Sequence, residues 1–310
     1  MINRSDYFRK YLNFFWLRPE NALLLAIRAE KYRETARFMG SYNMDVSCGD
    51  GVFSFIAMGG ELSSDSDMFR GIRATRERVG DYDVFDYYNE SYFVDVIKKP
   101  DYCYSLGTDW KENLVKKAGL LNYYDELVVH DNNKYFDLKS GSVDYIYSNS
   151  FYWVEDYINH LKDLIRMLKF GGCLVLEVKT SAIKNFSSKV YAPFMGDKFH
   201  SIIDAGRMST WKGLISLSEY DGLFSDLNVD IISREPVYGG SIMKAWDIGL
   251  RPLFKPLSKM VNSLDENSRN KVKLDWCETF YDLFDEYVSN YSCNSDPDDV
   301  VEWIYVLRKK

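Results

Sequence analysis

A short run of small and acidic residues is the part of the chain whose types and spacing could bind a ligand. Residues 45–51 read DVSCGDG, between a β-type segment and an apolar stretch. This order predicts a strand, a tight turn and the start of a helix, because Gly49 and Gly51 can adopt positive φ and let a ligand approach the backbone. A helix start also offers N–H groups without intrahelical partners. Asp45 would repel phosphate, so the turn suits a cationic or hydroxyl-bearing ligand.

The run resembles the first motif of class I S-adenosylmethionine-dependent methyltransferases, in which an acid precedes a G-x-G-x-G-type turn. Ser47 occupies the first glycine position here, and the other two glycines are present. The dinucleotide-binding fingerprint G-x-G-x-x-G would need a glycine at Ser54 and is incomplete. The resemblance implies that the cofactor S-adenosylmethionine is bound through four residues of this segment: Asp45, Ser47, Gly49 and Gly51.

Strand and helix patterns alternate along most of the chain. Strands are predicted at 42–46, 102–106, 126–130, 143–147, 174–178, 229–234 and 302–308, and helices at 19–38, 111–121, 157–168 and 217–227. Gly171 and Gly172 are predicted to end the third of these helices. The alternation predicts an α/β fold with a Rossmann-like, doubly wound, mostly parallel sheet. The late last strand agrees with the topology that the resemblance implies, seven strands with the last one antiparallel.

Three segments interrupt this alternation. An N-terminal helical segment covers residues 1–38, and a helical cap subdomain covers 239–294. The predicted methyltransferase core is residues 39–238 and 295–310. Asp109 follows Gly51 by 58 positions, whereas the acid of such motifs usually comes about 20 residues after the glycines. The resemblance therefore implies an insertion at about 59–101, which would lie beside the cofactor as a lid or as a wall of the acceptor site. Without the resemblance, Asp109 would be unrelated to the glycines.

Polar residues follow several predicted strands at the sheet edge where α/β proteins bind ligands. Asp109 closes a G-T-D segment that resembles the family's ribose-binding acid, and Trp110 after it would pack on adenine. Asp131 and Asn132 occupy the position of the adenine contacts, and Asn149 would face the methionine end or the acceptor. Local alternatives remain, because Asp109 also suits a helix cap and Asp131 a turn.

The acceptor side is less defined by the sequence. Methyl transfer from a sulfonium mainly requires that the acceptor be positioned, although an oxygen acceptor also benefits from a general base. His200 is the candidate base because it follows the fifth strand, with a structural role as the alternative. Tyr152, Trp153 and Tyr191 are expected to line the acceptor pocket.

Composition narrows the possible partners and the location. A net charge of −7 argues against nucleic acid, and no apolar run reaches the roughly 18 residues of a membrane span. Five scattered cysteines indicate reduced thiols, no metal site and a cytoplasmic protein. Apolar and basic residues alternate between 244 and 264, so contact with a membrane surface is an alternative to a packed cap, but Pro252 and Pro256 would interrupt the helix.

The function predicted from the sequence is S-adenosylmethionine-dependent methylation, with O-methylation of a small molecule or a glycan as the leading reaction. The layout is similar to that of methyltransferases of surface-polysaccharide biosynthesis. One alternative is an NAD(P)-dependent Rossmann oxidoreductase. A second is a non-catalytic, methyltransferase-like interaction protein, which Ser47 leaves open. The sequence indicates no oligomeric state.

Overall fold

A seven-stranded sheet forms the centre of the structure, a computed structural model that describes residues 3–72, 84–204 and 207–310. The strands are β1 (Asn43–Val46), β2 (Tyr104–Asp109), β3 (Tyr124–Val129), β4 (Val143–Ser148), β5 (Leu168–Lys179), β6 (Val229–Gly239) and β7 (Val300–Lys309). Their spatial order is β3-β2-β1-β4-β5-β7-β6. The first five strands of the chain, β1 to β5, pair in parallel, whereas β7 is antiparallel to both β5 and β6. The predicted Rossmann-like sheet with an antiparallel last strand is confirmed.

Helices surround this sheet. They are α1 (Arg4–Phe14), α2 (Pro19–Glu34), α3 (Val52–Ala57), α4 (Glu112–Gly119), α5 (Tyr157–Met167), α6 (Ala192–Met195), α7 (Asp197–Asp204), α8 (Arg207–Thr210), α9 (Leu217–Ser225), α10 (Gly240–Ile248), α11 (Phe254–Asn262) and α12 (Glu266–Asn290). Short 3-10 turns occur at Thr35–Phe38, Val84–Asp86, Phe151–Trp153, Ser181–Asn185, Ser188–Tyr191 and Arg251–Leu253. Within the described ranges, no helix has both the length and the apolar character needed to cross a membrane.

The two faces of the sheet carry separate cores, because alternate residues of a strand point to opposite faces. Tyr145 and Tyr147 of β4 pack into a cluster with α1, α2 and α3. Ile146, between them, packs into a second cluster with α5 and α9. Most residues of α2 are buried, including its Ala positions, Leu23 and Leu24, so this helix is enclosed by protein on most sides. The sheet is therefore covered on both faces, as a doubly wound fold requires.

The predicted helical segments pack against one another. Helix α1 contacts both α2 and α12, and α10 contacts α2. Residues 240–290 are largely helical, in agreement with a helical excursion before the last strand, although their division into a cap subdomain stays a prediction. Of the predicted insertion, residues 73–83 lie outside the described part of the chain. The described part includes an antiparallel pair of short strands, Glu61–Leu62 and Val96–Lys98.

The prediction that Gly171 and Gly172 end a helix is wrong. Helix α5 already ends at Met167, and the next residue is extended and begins β5. The two glycines lie inside this strand, at a register shift against β4, and Gly171 has a φ of 75°. Pairing with β4 supplies hydrogen bonds from Leu168 onwards, so the chain leaves the helix earlier than the glycine pair suggests.

A buried ion cluster connects α2 to the sheet. Arg28 donates from Nε to Glu302 Oε1 over 2.8 Å and from Nη2 to Oε2 over 2.7 Å. Lys179 and Tyr238 donate to the same Oε2 over 2.6 and 2.9 Å. Arg28 Nε also lies 2.8 Å from Glu177 Oε2. Burial alone would raise the pKa of Glu302, but the two cations hold it below its ordinary value, whereas burial raises the pKa of Glu177.

Glu302→Ala is expected to lower the free energy of unfolding by about 3 kcal/mol, because it leaves two buried cations without their shared carboxylate. Glu235→Ala is the matched control, since Glu235 forms a partly exposed ion pair with Lys31, which belongs to α2 like Arg28. This substitution should lower the free energy of unfolding by less than about 1 kcal/mol. Urea unfolding of both variants measures the difference. Equal losses would contradict a dominant role of the buried cluster.

Candidate functional site

The turn after β1 has the backbone conformation that a glycine motif provides. Ser47, Gly49 and Gly51 have φ values of 60°, 62° and 75°. A Cβ on Gly51 would also come within 2.9 Å of the Tyr124 ring, so a side chain is excluded there by space as well as by conformation. Ser47 adopts the left-handed region at a steric cost. Its Oγ accepts a hydrogen bond of 2.7 Å from Asn132 Nδ2, a contact that a glycine could not make.

Asp109 connects β2 to this turn. Its Oδ2 accepts from the Gly49 N–H over 3.1 Å, and its Oδ1 accepts from the Lys111 N–H over 2.9 Å. The N-cap residue of α4 is Lys111, and this cap makes no side-chain hydrogen bond, so Asp109 closes the turn before the helix and does not cap it. Each oxygen keeps a further lone pair, and Asp109 lines the adjacent cleft. The carboxylate is therefore oriented by backbone donors and still able to accept from a ligand.

A first cavity of about 500 Å³ lies at the carboxyl ends of β2 and β3. Its lining combines polar groups with aromatic and aliphatic faces: Ser47, Asp109, Trp110, Lys111, Leu114, Asp131, Asn132, Asn133, Ser150, Trp153 and Val154. The structure thus brings together the predicted adenosine-side residues. Asp131 accepts from the Asn133 N–H over 3.0 Å, and this bond lowers the pKa of Asp131. The predicted turn role of Asp131 is therefore also present.

A second cavity of about 380 Å³ adjoins the first and shares Ser47, Leu114, Ser150 and Trp153 with it. Its remaining lining comes from many elements: Phe15, Asn21, Leu24, Leu25, Arg28, Cys48, Gly49, Asp50, Phe53, Phe85, Asn149, Tyr152, Lys179 and Trp246. The predicted positions Asn149, Tyr152 and Trp153 meet here. Ser150 Oγ is buried and has no hydrogen-bond partner among the described residues, so it is available to a ligand.

Several lining residues were not found from the sequence. Asn21 and Arg28 belong to α2, before the glycine motif, and Trp246 belongs to α10, far after it. Neither helix has a local pattern that indicates a ligand site. Lys179 is different, because it ends β5, and a charged residue at the end of a buried strand is a signal that could have been used.

Asp45 and Gly51 do not line either cavity. Asp45 is 1% exposed, and its Oδ2 accepts from the Ser54 hydroxyl and, over 2.9 Å, from the Tyr124 hydroxyl. It therefore connects β1 to α3 and β3 from inside the fold. Gly51 lies against the Tyr124 ring. The predicted contacts of these two residues with the cofactor are thus indirect at most, and both shape the turn from behind.

His200 and Tyr191 are also absent from the residues that line the two cavities. His200 belongs to α7, and its Nδ1 lies 3.0 Å from Ser188 Oγ. It lines a separate depression together with Lys189 and Asp197. The segment after β5 forms short helices that carry His200 into this depression, so position after the fifth strand was not sufficient to predict its place. The structure gives the predicted general base no contact with the cleft.

The potential around the turn is negative. Burial raises the pKa of Asp45, Asp50 and Asp109, and the carboxylates add to one another's shifts at Asp45 and Asp109. Burial also raises the pKa of the Cys48 thiol, with these acids contributing. The thiol is therefore protonated and unsuited to nucleophilic chemistry. A ligand that places positive charge beside this turn would be stabilised by the acids.

Comparison with known proteins gave similarity to solved structures alone. No protein-family model and no curated protein matches the chain. A putative sarcosine dimethylglycine methyltransferase from Galdieria sulphuraria is similar at 11% identity and a TM-score of 0.48, covering 92% of this chain and 86% of that one. The YjhP protein of E. coli is similar at 12% identity and a TM-score of 0.47, covering 91% of this chain and 92% of that one. A SAM-dependent methyltransferase from Geobacter sulfurreducens, in complex with S-adenosyl-L-homocysteine, is similar at 12% identity and a TM-score of 0.46, covering 91% of this chain and 90% of that one. Similarity at this level carries no conclusion about the activity of this chain.

Asp45→Asn should change how stability depends on pH. Burial raises the pKa of Asp45 from 3.8 to about 6 in the folded protein. Its proton-linked contribution to stability is therefore fully present below pH 3.8 and is lost as the pH rises through about 6, a change of about 3 kcal/mol. Asparagine removes this titration while keeping an acceptor for Ser54 and Tyr124. The variant should thus gain stability relative to wild type as the pH rises.

Urea unfolding across this pH range measures the difference between the two proteins. Asp144→Asn is a control of opposite sign, because hydrogen bonds from Lys169 and the Tyr42 N–H outweigh partial burial and lower the pKa of Asp144. Its contribution is present above its ordinary pKa and is lost on acidification. A difference between wild type and Asp45→Asn that does not vary with pH would show that Asp45 is not the buried acid described here.

Proposed function

We propose that this chain is an S-adenosylmethionine-dependent methyltransferase. The observation that carries the proposal is the 3.1 Å hydrogen bond between the Gly49 N–H and Asp109 Oδ2. It joins the glycine turn of β1 to the acid of β2 across the long intervening segment, at the carboxyl ends of adjacent parallel strands. Ligands of open α/β sheets bind at this edge, near a change in strand order. In this sheet β1 is the strand from which the order diverges.

The first cavity fits the nucleoside part of this cofactor. Asp109 offers a carboxylate with free lone pairs to hydroxyl groups, and Asn132 offers an amide near the same turn. Trp110 and Trp153 are 66% and 45% exposed, so their faces are available for a planar base. The acids around the turn favour a sulfonium over a pyrophosphate. When bound, the cofactor supplies an electrophilic methyl group on a positively charged leaving group.

The second cavity is the proposed acceptor site. It adjoins the first through shared residues, which is the arrangement needed to hold an acceptor in line with a methyl group. A volume of about 380 Å³ suits a small molecule. Apolar side chains such as Leu24, Leu25 and Phe53 line it, and they favour an acceptor with an apolar body over a polyhydroxylated glycan. O-methylation remains the leading reaction that we propose.

The alternatives are less well supported by the site. An NAD(P)-dependent enzyme would place a pyrophosphate beside Asp50 and Asp109, where two carboxylates oppose it. A non-catalytic protein was kept open by Ser47. In the structure this serine completes the turn through its bond with Asn132, so the departure from glycine does not by itself disable the site.

The proposal is tested by isothermal titration of S-adenosylmethionine and S-adenosylhomocysteine, with NAD and NADP as comparison ligands. Asp109→Asn should weaken binding of both sulfur compounds by at least about tenfold, because a charged acceptor of hydrogen bonds is lost. Asp226→Asn, an exposed substitution next to α9 on the other side of the sheet, is the matched control. Circular dichroism establishes that each variant is folded.

The outcomes separate the three functions. Binding of the sulfur compounds that depends on Asp109 supports the methyltransferase. Binding of a dinucleotide alone would favour the oxidoreductase. A folded protein that binds none of the four ligands would favour the interaction protein and would contradict the proposed function.

A further inference from the structure

Asn21, Arg28 and Tyr152, which we call the floor of the second cavity, offer an excess of hydrogen-bond donors. Arg28 uses Nε and Nη2 for Glu302, and its Nη1 has no hydrogen-bond partner in the described part of the chain. Asn21 Oδ1 accepts from Trp246 Nε1 over 2.9 Å, which fixes the amide and leaves its NH2 group for another partner. Tyr152 Oη accepts from Lys179 Nζ over 2.8 Å and keeps its own proton to donate. The groups that remain free are donors in all three cases.

These three side chains are buried and held in place by neighbouring residues, unlike polar groups on an open surface. Asn21, Arg28 and Tyr152 are 8%, 7% and 4% exposed, and each lines the cavity. Hydrogen bonds to Trp246, Glu302 and Lys179 fix their positions. A ligand would therefore meet donors that are already oriented, which lowers the entropy cost of binding.

The lining of the second cavity includes the two cations of the buried ion cluster. Arg28 and Lys179 share one ionised partner, Glu302. Glu177 lies 2.8 Å from Arg28 Nε, and burial raises the pKa of Glu177. Both Glu177 oxygens lack a hydrogen-bond partner within the described ranges. Arg28 and Lys179 line the cavity, whereas Glu302 and Glu177 do not, and the one carboxylate of the lining, Asp50, belongs to the glycine turn. An anionic ligand on the α2 side of the cavity would therefore meet the two cations directly.

We propose that Asn21, Arg28 and Tyr152 bind a carboxylate, or an oxyanion of similar shape, on a ligand in this cavity. The inference rests on the proposed function, which makes this cavity the acceptor site, and it specifies the chemical group that the cavity binds. The apolar wall indicates an organic acid with an apolar body as acceptor. The amino-acid end of the cofactor carries the same chemical group, so the experiment has one arm for each source.

Asn21→Asp is the central variant. The aspartate keeps an oxygen for Trp246 and replaces the donating NH2 by an anionic oxygen, so the fold is retained while a carboxylate is repelled. Arg28→Lys keeps the charge and removes Nη1, and Tyr152→Phe removes a single donor. Asn267→Asp is the matched control, because Asn267 is exposed in the first turn of α12 and lines neither cavity.

The first arm compares S-adenosylhomocysteine with 5′-methylthioadenosine, which has the nucleoside and sulfur but no amino-acid group. If the carboxylate is that of the cofactor, Asn21→Asp and Arg28→Lys weaken binding of S-adenosylhomocysteine by about tenfold or more, while 5′-methylthioadenosine binds as before. The control variant changes neither. Isothermal titration supplies both affinities, so the readout does not depend on catalytic activity.

The second arm uses phenylacetate and its neutral isostere phenylacetamide as probes, with and without saturating S-adenosylhomocysteine, followed by saturation-transfer NMR. If the carboxylate is that of the acceptor, wild type binds phenylacetate in preference to the amide, and Asn21→Asp and Tyr152→Phe remove the preference. Either arm alone supports the inference. The inference is overturned if wild type does not prefer phenylacetate to phenylacetamide and if the variants leave the ratio of the S-adenosylhomocysteine and 5′-methylthioadenosine affinities unchanged. Failure of the proposed function is distinct, since wild type would then bind neither nucleoside ligand.

Discussion

The burial of Arg28 and Lys179 against one carboxylate is the constraint on which the arrangement of the site depends. A buried ion pair contributes little net stability compared with apolar residues of similar size, yet loss of one partner is costly. Here Glu302 of β7 fixes Arg28 of α2 and Lys179 of β5 at the same point. Lys179 in turn fixes the hydroxyl of Tyr152, after β4. One carboxylate thus sets the relative positions of a helix, two strands and a turn. Of these elements, α2, β5 and the turn after β4 contribute residues to the second cavity.

The charge of the cleft is divided between its two ends. Acids lie at the glycine turn, where Asp50 and Asp109 line the cavities and Asp45 lies behind them. Cations lie at the other end, where Arg28 and Lys179 line the second cavity while their carboxylate partners do not. In a partly dehydrated cleft such separated charges act over several ångströms. This polarity suits a bound pair of molecules with positive charge beside the turn and negative charge on the floor, and it opposes a polyphosphate at the turn.

The features that could be predicted from the sequence are those with a local pattern. The glycine turn, the polar strand ends at Asp109 and Asn132, and the alternation of strands and helices all depend on residues close to one another in the chain. Burial cannot be deduced from such a pattern, and so Asp45 was expected in the site although Ser54 and Tyr124 hold it inside the fold.

The cavity floor is non-local, and for that reason it escaped prediction. Asn21 and Arg28 look like ordinary polar positions of a helix, because the partners that give them meaning, Trp246 and Glu302, are more than two hundred residues away. His200 shows the converse error, since its place in the chain suggested the acceptor side but α7 carries it to another depression. Residue type is informative about chemistry, whereas the fold decides which residues can act together.

No histidine of the described residues lines the two cavities, and the carboxylate in the lining of the second cavity is Asp50, whose pKa is raised by burial. A base for an oxygen acceptor would therefore have to be this acid at the glycine turn. A neutral alcohol must lose a proton as it attacks, and this loss is normally assisted by a base near neutrality. The Tyr152 hydroxyl already accepts a hydrogen bond from Lys179 Nζ, and the Cys48 thiol is protonated. An acceptor that is already anionic needs no such base. Transfer of a methyl group from a sulfonium then requires only that the acceptor be held in line, and oriented donors on a cationic floor are suited to that task.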